Sequence, residues 1–546
     1  MPVLDPANIG DEVAEFLRQQ EAARNYWICV WATDLAYTYG SQWRASVSSR
    51  SPSSPHVVRV AQMLDPDRKD IRVALNQVID NVIKGYSQLA APSLAPRISP
   101  VGMFSPEDRD ASEVARDVHT HMVTKGSGLR RYKAASLGRV VLGDYFLKAV
   151  VRLRGKTDVT DPYTGEPVLD ERGKPLTMKD RDIVWQPIFP GEVTIDFSNP
   201  ETDLQDHDVV IHSQVRPTAW VERVYGIQLQ TETTVGQLMA THEMVHQLSA
   251  GAVGGSAHQF GDSRSPGCVL HEVYLQDEKR PGEWPHWFLL ADPVKDGTRH
   301  RHLTQIARSD SAFRGLPFLH LQMHAVPGRF YGIGQPRLQI SRQDILNHLW
   351  SQILRYTGTV CNMPWVADKA TLLPKSIQEM KSNRWNRVIQ VDTASHQNAK
   401  LPQIVSPPEL PQSLPQLADE MKRSMREAAG LSDVAFGRVS ARGESADAIR
   451  ERADLSETVM SQIVENDEQR LPQFLLLNID AAARLLLPER LDEITNQQFS
   501  PEQLEHFRQA NVIARLAIQI EPGSLLPRTP REKREENQRA LDIGIA

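Results

Sequence analysis

Ser413-Leu-Pro-Gln-Leu-Ala-Asp-Glu-Met-Lys-Arg-Ser-Met-Arg-Glu-Ala-Ala-Gly430 is the stretch from which the organisation of this chain is read. Ser413 and Gln416 stand three residues apart, the spacing at which a hydroxyl and an amide side chain satisfy each other's free N–H groups at a helix start. Pro415 falls in the first turn, where its missing N–H costs little. Leu417, Met421, Met425 and Ala428 then repeat at helical steps and form one apolar stripe. Gly430 supplies a natural stop. The spacing predicts a helix over 413–430.

Upstream, Ser341-Arg-Gln-Asp344 is a weaker start signal of the same kind, with Asp where Glu or Gln is preferred. It opens a second helix whose apolar face is Ile345, Leu346, Leu349, Trp350, Ile353 and Leu354, expected to end at Gly358. Between the two helices, residues 359–412 carry Pro364, Pro374, Pro402, Pro407, Pro408 and Pro411 around a strand-like Arg387–Val391, the composition of a compact insert. Downstream, residues 431–443 form a short loop with Gly437, Arg438, Arg442 and Gly443. From Ser445 a long helical pattern runs through Ile449, Ala453, Met460, Ile463, Asp467, Leu471, Phe474 and Asn478 to Leu485. At about 1.5 Å per residue it spans roughly 60 Å. Pro472 lies inside it and predicts a kink.

The first half alternates helix and strand signals. Asp11–Arg24 reads as a helix whose apolar face continues into Tyr26, Trp27 and Trp31, and Asp70–Leu89 as a second amphipathic helix stopped by Pro92 and Pro96. Glu113–Leu142 reads as largely helical, with Gly143 as its stop, and Asp144–Arg154 as a strand. Turn residues in 161–175 predict a polar hairpin, and 183–215, 269–290 and 316–324 are sheet-like. Residues 251–267, with five glycines, read as a flexible connection. The fold class this order supports is α+β.

Composition narrows the function. The chain has 546 residues, 40% hydrophobic and 24% charged, which excludes collagen-like or wholly disordered architecture. Lys+Arg 62 against Asp+Glu 68 gives a net charge of -6, so a protein that grips nucleic acid over a wide basic surface is not expected. Three cysteines, Cys29, Cys268 and Cys361, have no metal-ligand spacing, which fits a reducing compartment. Neither a signal peptide nor an apolar run of membrane-spanning length is visible, and the expectation is a soluble protein, intracellular when made.

Taken in order, these elements resemble the portal (head–tail connector) proteins of tailed bacteriophages over most of residues 60–487. The resemblance is carried by Ile71–Pro100, by Leu137-Gly-Arg-Val-Val-Leu-Gly-Asp-Tyr-Phe-Leu147, by Leu316–Gly328 feeding the helix 341–358, and by the helix, insert, helix, loop and long helix described above. It implies a portal-type subunit: a wing of helices followed by a β-rich part over 1–332, a first stem helix over 333–358 and a clip over 359–412. A second stem helix over 413–430, a channel loop over 431–443, a long kinked wing helix over 444–487 and a crown-side segment over 488–546 complete it. It further implies assembly into a homo-oligomeric ring of about twelve copies at one capsid vertex of the virion, after assembly in the host cytoplasm. Double-stranded DNA passes through the channel during packaging and ejection. The expected partners are terminase, head–tail adaptor proteins and the major capsid and scaffolding proteins, with no membrane, no cofactor and no enzymatic chemistry. The family's loop makes Arg438 and Arg442 the candidate DNA contacts. The alternative for both is that they cap the long helix or bond a neighbouring subunit. Lys422, Arg423 and Arg426 face either the channel or solvent and neighbouring subunits.

The competing function is a zinc-dependent hydrolase built on His242-Glu243-Met244-Val245-His246, which matches HExxH. On a helix the two histidines share one face and Glu243 serves as general base. The extended form is missing, since Ser249 and Ala252 stand where Gly and His are needed, and Glu272 is the available third ligand. His119 and His121, His300 and His302, and His320 and His324 read as satisfied or surface histidines. No phosphate-binding GxxxxGK[ST] motif and no GxSxG elbow are present, so neither a packaging ATPase nor a serine hydrolase is expected.

Overall fold

The computed structural model describes residues 8–40, 42, 73–89, 94, 96–101, 105–158, 177–235, 238, 265–277, 283–293, 303–361, 365–366, 372, 374–381, 390–391, 403–404, 409–411, 413–431 and 446–520. The helices are α1 Ile9–Thr38, α2 Val78–Leu89, α3 Pro106–Val123, α4 Gly128–Leu142, α5 Thr218–Tyr225, α6 Ile340–Cys361, α7 Pro374–Lys381, α8 Ser413–Ala428, α9 Ala446–Leu485, α10 Pro488–Ile494, α11 Pro501–Gln509 and α12 Val512–Arg515. The strands are β1 Arg97–Pro100, β2 Asp144–Asp158, β3 Thr177–Ile188, β4 Val193–Thr194, β5 Val209–Pro217, β6 Gly267–Leu275, β7 His286–Asp292, β8 Thr304–Asp310, β9 Phe318–Gln322, β10 Trp365–Val366, β11 Gln403–Ile404 and β12 Leu516–Gln519. Helices and sheets are mixed along the chain, as the α+β expectation required.

Two antiparallel sheets organise the first half. One has the order β3-β2-β9 and the other β4-β5-β6-β7-β8. In the first, Asp158 pairs with Thr177, so the expected hairpin closes around residues 159–176, themselves outside the described residues. α1 joins the two sheets because its apolar residues serve two cores. Ile9, Val13, Phe16 and Leu17 pack on Val209, Ile211, Val273 and Phe288 of the five-stranded sheet. Trp27, Ile28, Trp31 and Leu35 enter the larger core with α4, β2 and α9. Each such side chain contributes roughly 1.5–3 kcal/mol on burial. Trp31 and Tyr331 meet edge to face with ring centroids 5.1 Å apart.

Three helix boundaries differ from the sequence expectation, each for a local reason. The 113–142 helix is two helices, because Ser127 sits at φ 60 and breaks the ladder between α3 and α4. The helix expected from Asp70 begins only at Val78, because 73–77 is held outside the helix by side chains of α6. α6 runs past Gly358 to Cys361. A glycine stops a helix by turning to positive φ, and Gly358 is not among the described glycines that do so, whereas Gly143 at φ 95 and Gly430 at φ 68 are. α9 spans Pro472 as one helix of 40 residues.

The C-terminal elements return to the N-terminal half. β12 pairs antiparallel with β1, Arg97 opposite Gln519. α11 opens with a complete capping box, Ser500 with Gln503, and its Gln503 and His506 reach Asp110 on α3 at 3.1 and 3.2 Å. In the insert, Trp365 pairs with Ile404, which brings the two ends of the module together, and Val391 bridges Leu372.

Candidate functional site: a helix pair clasped by a polar ladder

α6 and α8 pack side by side around Leu346, Leu349, Ala418 and Met425, all buried. Two polar contacts fix their alignment. Arg342 Nε donates to Ser424 Oγ at 2.9 Å, and the Lys422 ammonium lies 5.4 Å from the Trp350 ring centroid. α8 ends in a Schellman motif: Leu431 N–H bonds the Arg426 carbonyl and Gly430 N–H the Glu427 carbonyl. Gln335, just before α6, donates to the Ala429 carbonyl at 3.0 Å and ties the end of α8 to the start of α6. Ile345 (46% exposed), Leu354 (40%) and Leu417 (38%) leave apolar surface on the outside of this pair.

The opposite face of α6 carries a feature that apolar periodicity does not find. Gln343, Asn347 and Ser351, preceded in the turn before the helix by Gln335 and Gln339, recur every four residues and are all buried. Ser351 Oγ, Asn347 Oδ1 and Gln343 Oε1 accept from the backbone N–H groups of Val73, Leu75 and Gln77, each at 3.1 Å. Gln343 Nε2 returns a bond to the Leu75 carbonyl at 2.8 Å. The match is geometric: four helical residues rise about 6 Å, close to the roughly 6.6 Å between alternate residues of an extended chain. α6 therefore offers a side-chain substitute for a neighbouring strand. Asn347 also donates to Gln42 at 2.6 Å, and Asn81 donates to Gln339 at 2.6 Å, so the ladder draws in the end of α1 and the start of α2. The signal was in the sequence as an i, i+4 run of amide and hydroxyl side chains beside an apolar face.

The long helix is anchored by charge. Asp467, 3% exposed, accepts from the fully buried Arg139 of α4 at 2.6 Å and from Tyr132 Oη at 3.1 Å. Two turns on, Phe474 packs against Trp185 of β3, ring centroids 5.6 Å apart.

Of the three cations considered for a channel, Lys422 is turned onto Trp350 and paired with Asp419, Arg426 is buried, and Arg423 is exposed. Arg438 and Arg442 lie outside the described residues, as do His242 and His246. Glu272, the third ligand considered for zinc, sits on β6 with its carboxylate in use. Lys148 Nζ donates to it at 2.7 Å, Tyr274 Oη at 3.2 Å and Trp287 Nε1 at 3.4 Å, and His212 Nδ1 lies 3.7 Å away. Burial pushes this carboxyl up, but the Lys148 charge and the His212 contact outweigh burial and hold it well below the ordinary range. It joins the two sheets as a salt bridge. Among the described residues no group of three or more His, Cys, Asp or Glu can hold a metal ion, and no helix is long and apolar enough to cross a membrane. His119 is buried, and His320 bonds Asp144 at 2.9 Å.

Residues 317–471 match the family model of the Phage P22-like portal protein. No curated protein matches the chain. The matched window opens at β9, takes in α6, the insert and α8, and closes in α9 four residues beyond Asp467. Over this window, which holds α6, the insert, α8 and the anchored part of the long helix, the chain is similar to the phage P22-like portal proteins.

Proposed function

We propose that this chain is the subunit of a phage portal: a homo-oligomeric ring, a dodecamer, set at one capsid vertex, through which double-stranded DNA is packaged and ejected. The observation that carries the proposal is the coincidence of the family match, 317–471, with the helix, insert, helix and long-helix unit. In this reading α6 and α8 are the stem helices that wall the pore. The insert 359–412 is the clip that docks terminase and later the head–tail adaptors, 431–443 is the channel loop, and the segments before and after form the wing and crown side, facing the capsid and scaffolding proteins.

Physical considerations support this division. Ring contacts between identical subunits are heterologous and closed by rotation. Apolar residues left on the outside of a stem pair are suited to meeting the next copy, and the buried ladder on the other face gives each stem a stiff tie to its own wing. A chain of net charge -6 also suits a conduit, since phosphate contacts repeated around a ring multiply and retain DNA instead of letting it pass. The ring acts by shape and docking rather than by catalysis. Mass photometry of the purified chain tests this: a dominant species near twelve times 61.4 kDa is expected, and a monomer at micromolar concentration contradicts it.

Arg438 and Arg442 are the proposed DNA contacts of the channel loop. The double variant Arg438→Ala with Arg442→Ala is expected to assemble normally but to package or retain DNA poorly. Unchanged packaging removes both residues from that role.

A further inference from the structure

The β2–β3 hairpin presents an open groove of about 550 Å³ whose lining includes Arg131, Val150, Arg152, Leu153, Val184 and Pro187. The lining contains no carboxylate. Val150 and Val184 stand opposite each other in the ladder, both half-buried, and share one face of the hairpin with Arg152, while Leu153 lies on the other face. Around it the arginines fall into two groups. Arg154 is paired with Glu493 at 3.6 Å, and Arg490 with Asp182 at 3.3 Å and with Glu493. Arg131 and Arg152 have no ion pair among the described residues. Asp182 stands opposite Arg152 in the ladder, but its carboxylate is held by Arg490 and by the Ile183 N–H. Burial, and after it the charges of Arg130 and Arg152, lower the affinity of the Arg131 guanidinium for its proton.

The outer edge of β3 decides how a ligand can be held. Ala149 N–H bonds the Pro317 carbonyl on the β9 side. The opposed pair Ala149 and Trp185 is therefore not mutually bonded, and Trp185, with Ile183 and Pro187, turns its backbone groups outward. Each of these positions is blunted. Ile183 N–H is taken by Asp182, the Trp185 carbonyl by Arg131, and Pro187 has no N–H. These contacts disfavour an added strand along this edge. What remains is recognition by side chains, with two cations beside an apolar floor.

We propose that this groove docks an acidic segment of a partner protein, one whose carboxylates meet Arg131 and Arg152 and whose apolar side chains cover Val150 and Val184. A nucleic-acid backbone satisfies the cations but leaves the apolar floor uncovered, so the peptide is the better fit. The proposal stands apart from the portal reading, because it concerns the hairpin face and not the stem.

Fluorescence anisotropy on the full chain tests it, with a short fluorescein-labelled peptide of Glu and Leu as probe. A peptide of Lys and Leu and a short DNA duplex serve as comparisons. Arg152→Glu is expected to weaken the Glu/Leu peptide more than tenfold, whereas Leu153→Ser, on the other face of the hairpin, is expected to leave it unchanged, both at exposed positions that leave the fold intact. Absence of binding by the unaltered chain, equal affinity in Arg152→Glu, or tighter binding of the duplex than of the peptide overturns the proposal.

Discussion

Replacing Asn347 with alanine removes the central rung of the ladder. Three hydrogen bonds go at once: Leu75 N–H to Oδ1 at 3.1 Å, Gln343 Nε2 to Oδ1 at 2.8 Å and Nδ2 to Gln42 at 2.6 Å. At about 0.5–1.5 kcal/mol each, with the Leu75 N–H left unsatisfied, the loss is about 3 kcal/mol. The cost falls on the attachment of 73–77 rather than on α6, whose Leu346 and Leu349 remain packed. Hydrogen–deuterium exchange read by mass spectrometry on a peptide covering 73–77 is the direct assay. In the unaltered chain the Val73, Leu75 and Gln77 amides should be slow, and those of Ala74 and Asn76, which α6 does not bond, faster. Asn347→Ala should speed the slow set by roughly a hundredfold, since each 1.4 kcal/mol is a factor of ten, while α6 amides hold. Ser351→Ala, which removes the bond from Val73 N–H and the hydroxyl's own bond to the Asn347 carbonyl, should cost about 1–2 kcal/mol. Exchange that is uniformly fast before substitution, or unchanged after it, refutes the strand-substitute account.

Two further substitutions test the packing around the α6–α8 pair and the long helix. Asp467→Ala strands the Arg139 guanidinium in the core and should lower stability by about 3–5 kcal/mol, read as a fall in the urea midpoint. A change under about 1 kcal/mol contradicts the anchoring role given to this pair. Burial lowers the His119 pKa to about 4, so the folded protein binds this proton less readily than the unfolded chain. Stability from His119 is full above pH 6.5 and is lost as the pH falls toward 4, by about 3 kcal/mol at most. His207 and His324, also lowered chiefly by burial, act in the same direction. His119→Leu should flatten the urea midpoint's dependence on pH between 7 and 4, and an unaltered slope excludes the residue as a source.

Local chemistry made much of the fold legible. The α8 stripe, the Gly430 stop, the Gly143 stop before β2 and the β2–β3 hairpin all follow from interactions within a few residues or one turn, and all are present. The failures have a common physical origin in partners distant along the chain. Residues 73–77 carry an amphipathic pattern that continues into α2, yet they are not helical, because α6, about 270 residues away, supplies their hydrogen bonds. Asp467 occupies a seam position of the long helix, and nothing near it reveals Arg139, 328 residues distant. Gly358 resembles a stop, but a glycine stops a helix only where the chain has reason to turn, and α6 continues. Glu272 looked available as a ligand because the sequence gives no sign that Lys148 faces it across two sheets.

The portal account rests most directly on where α6 and α8 stand in the assembled protein. A cryo-electron microscopy map of the purified chain measures this. The account predicts closed rings with both helices lining the central channel and the 359–412 module at one end. Isolated subunits, or rings in which these helices lie on the outer wall away from the axis, contradict it.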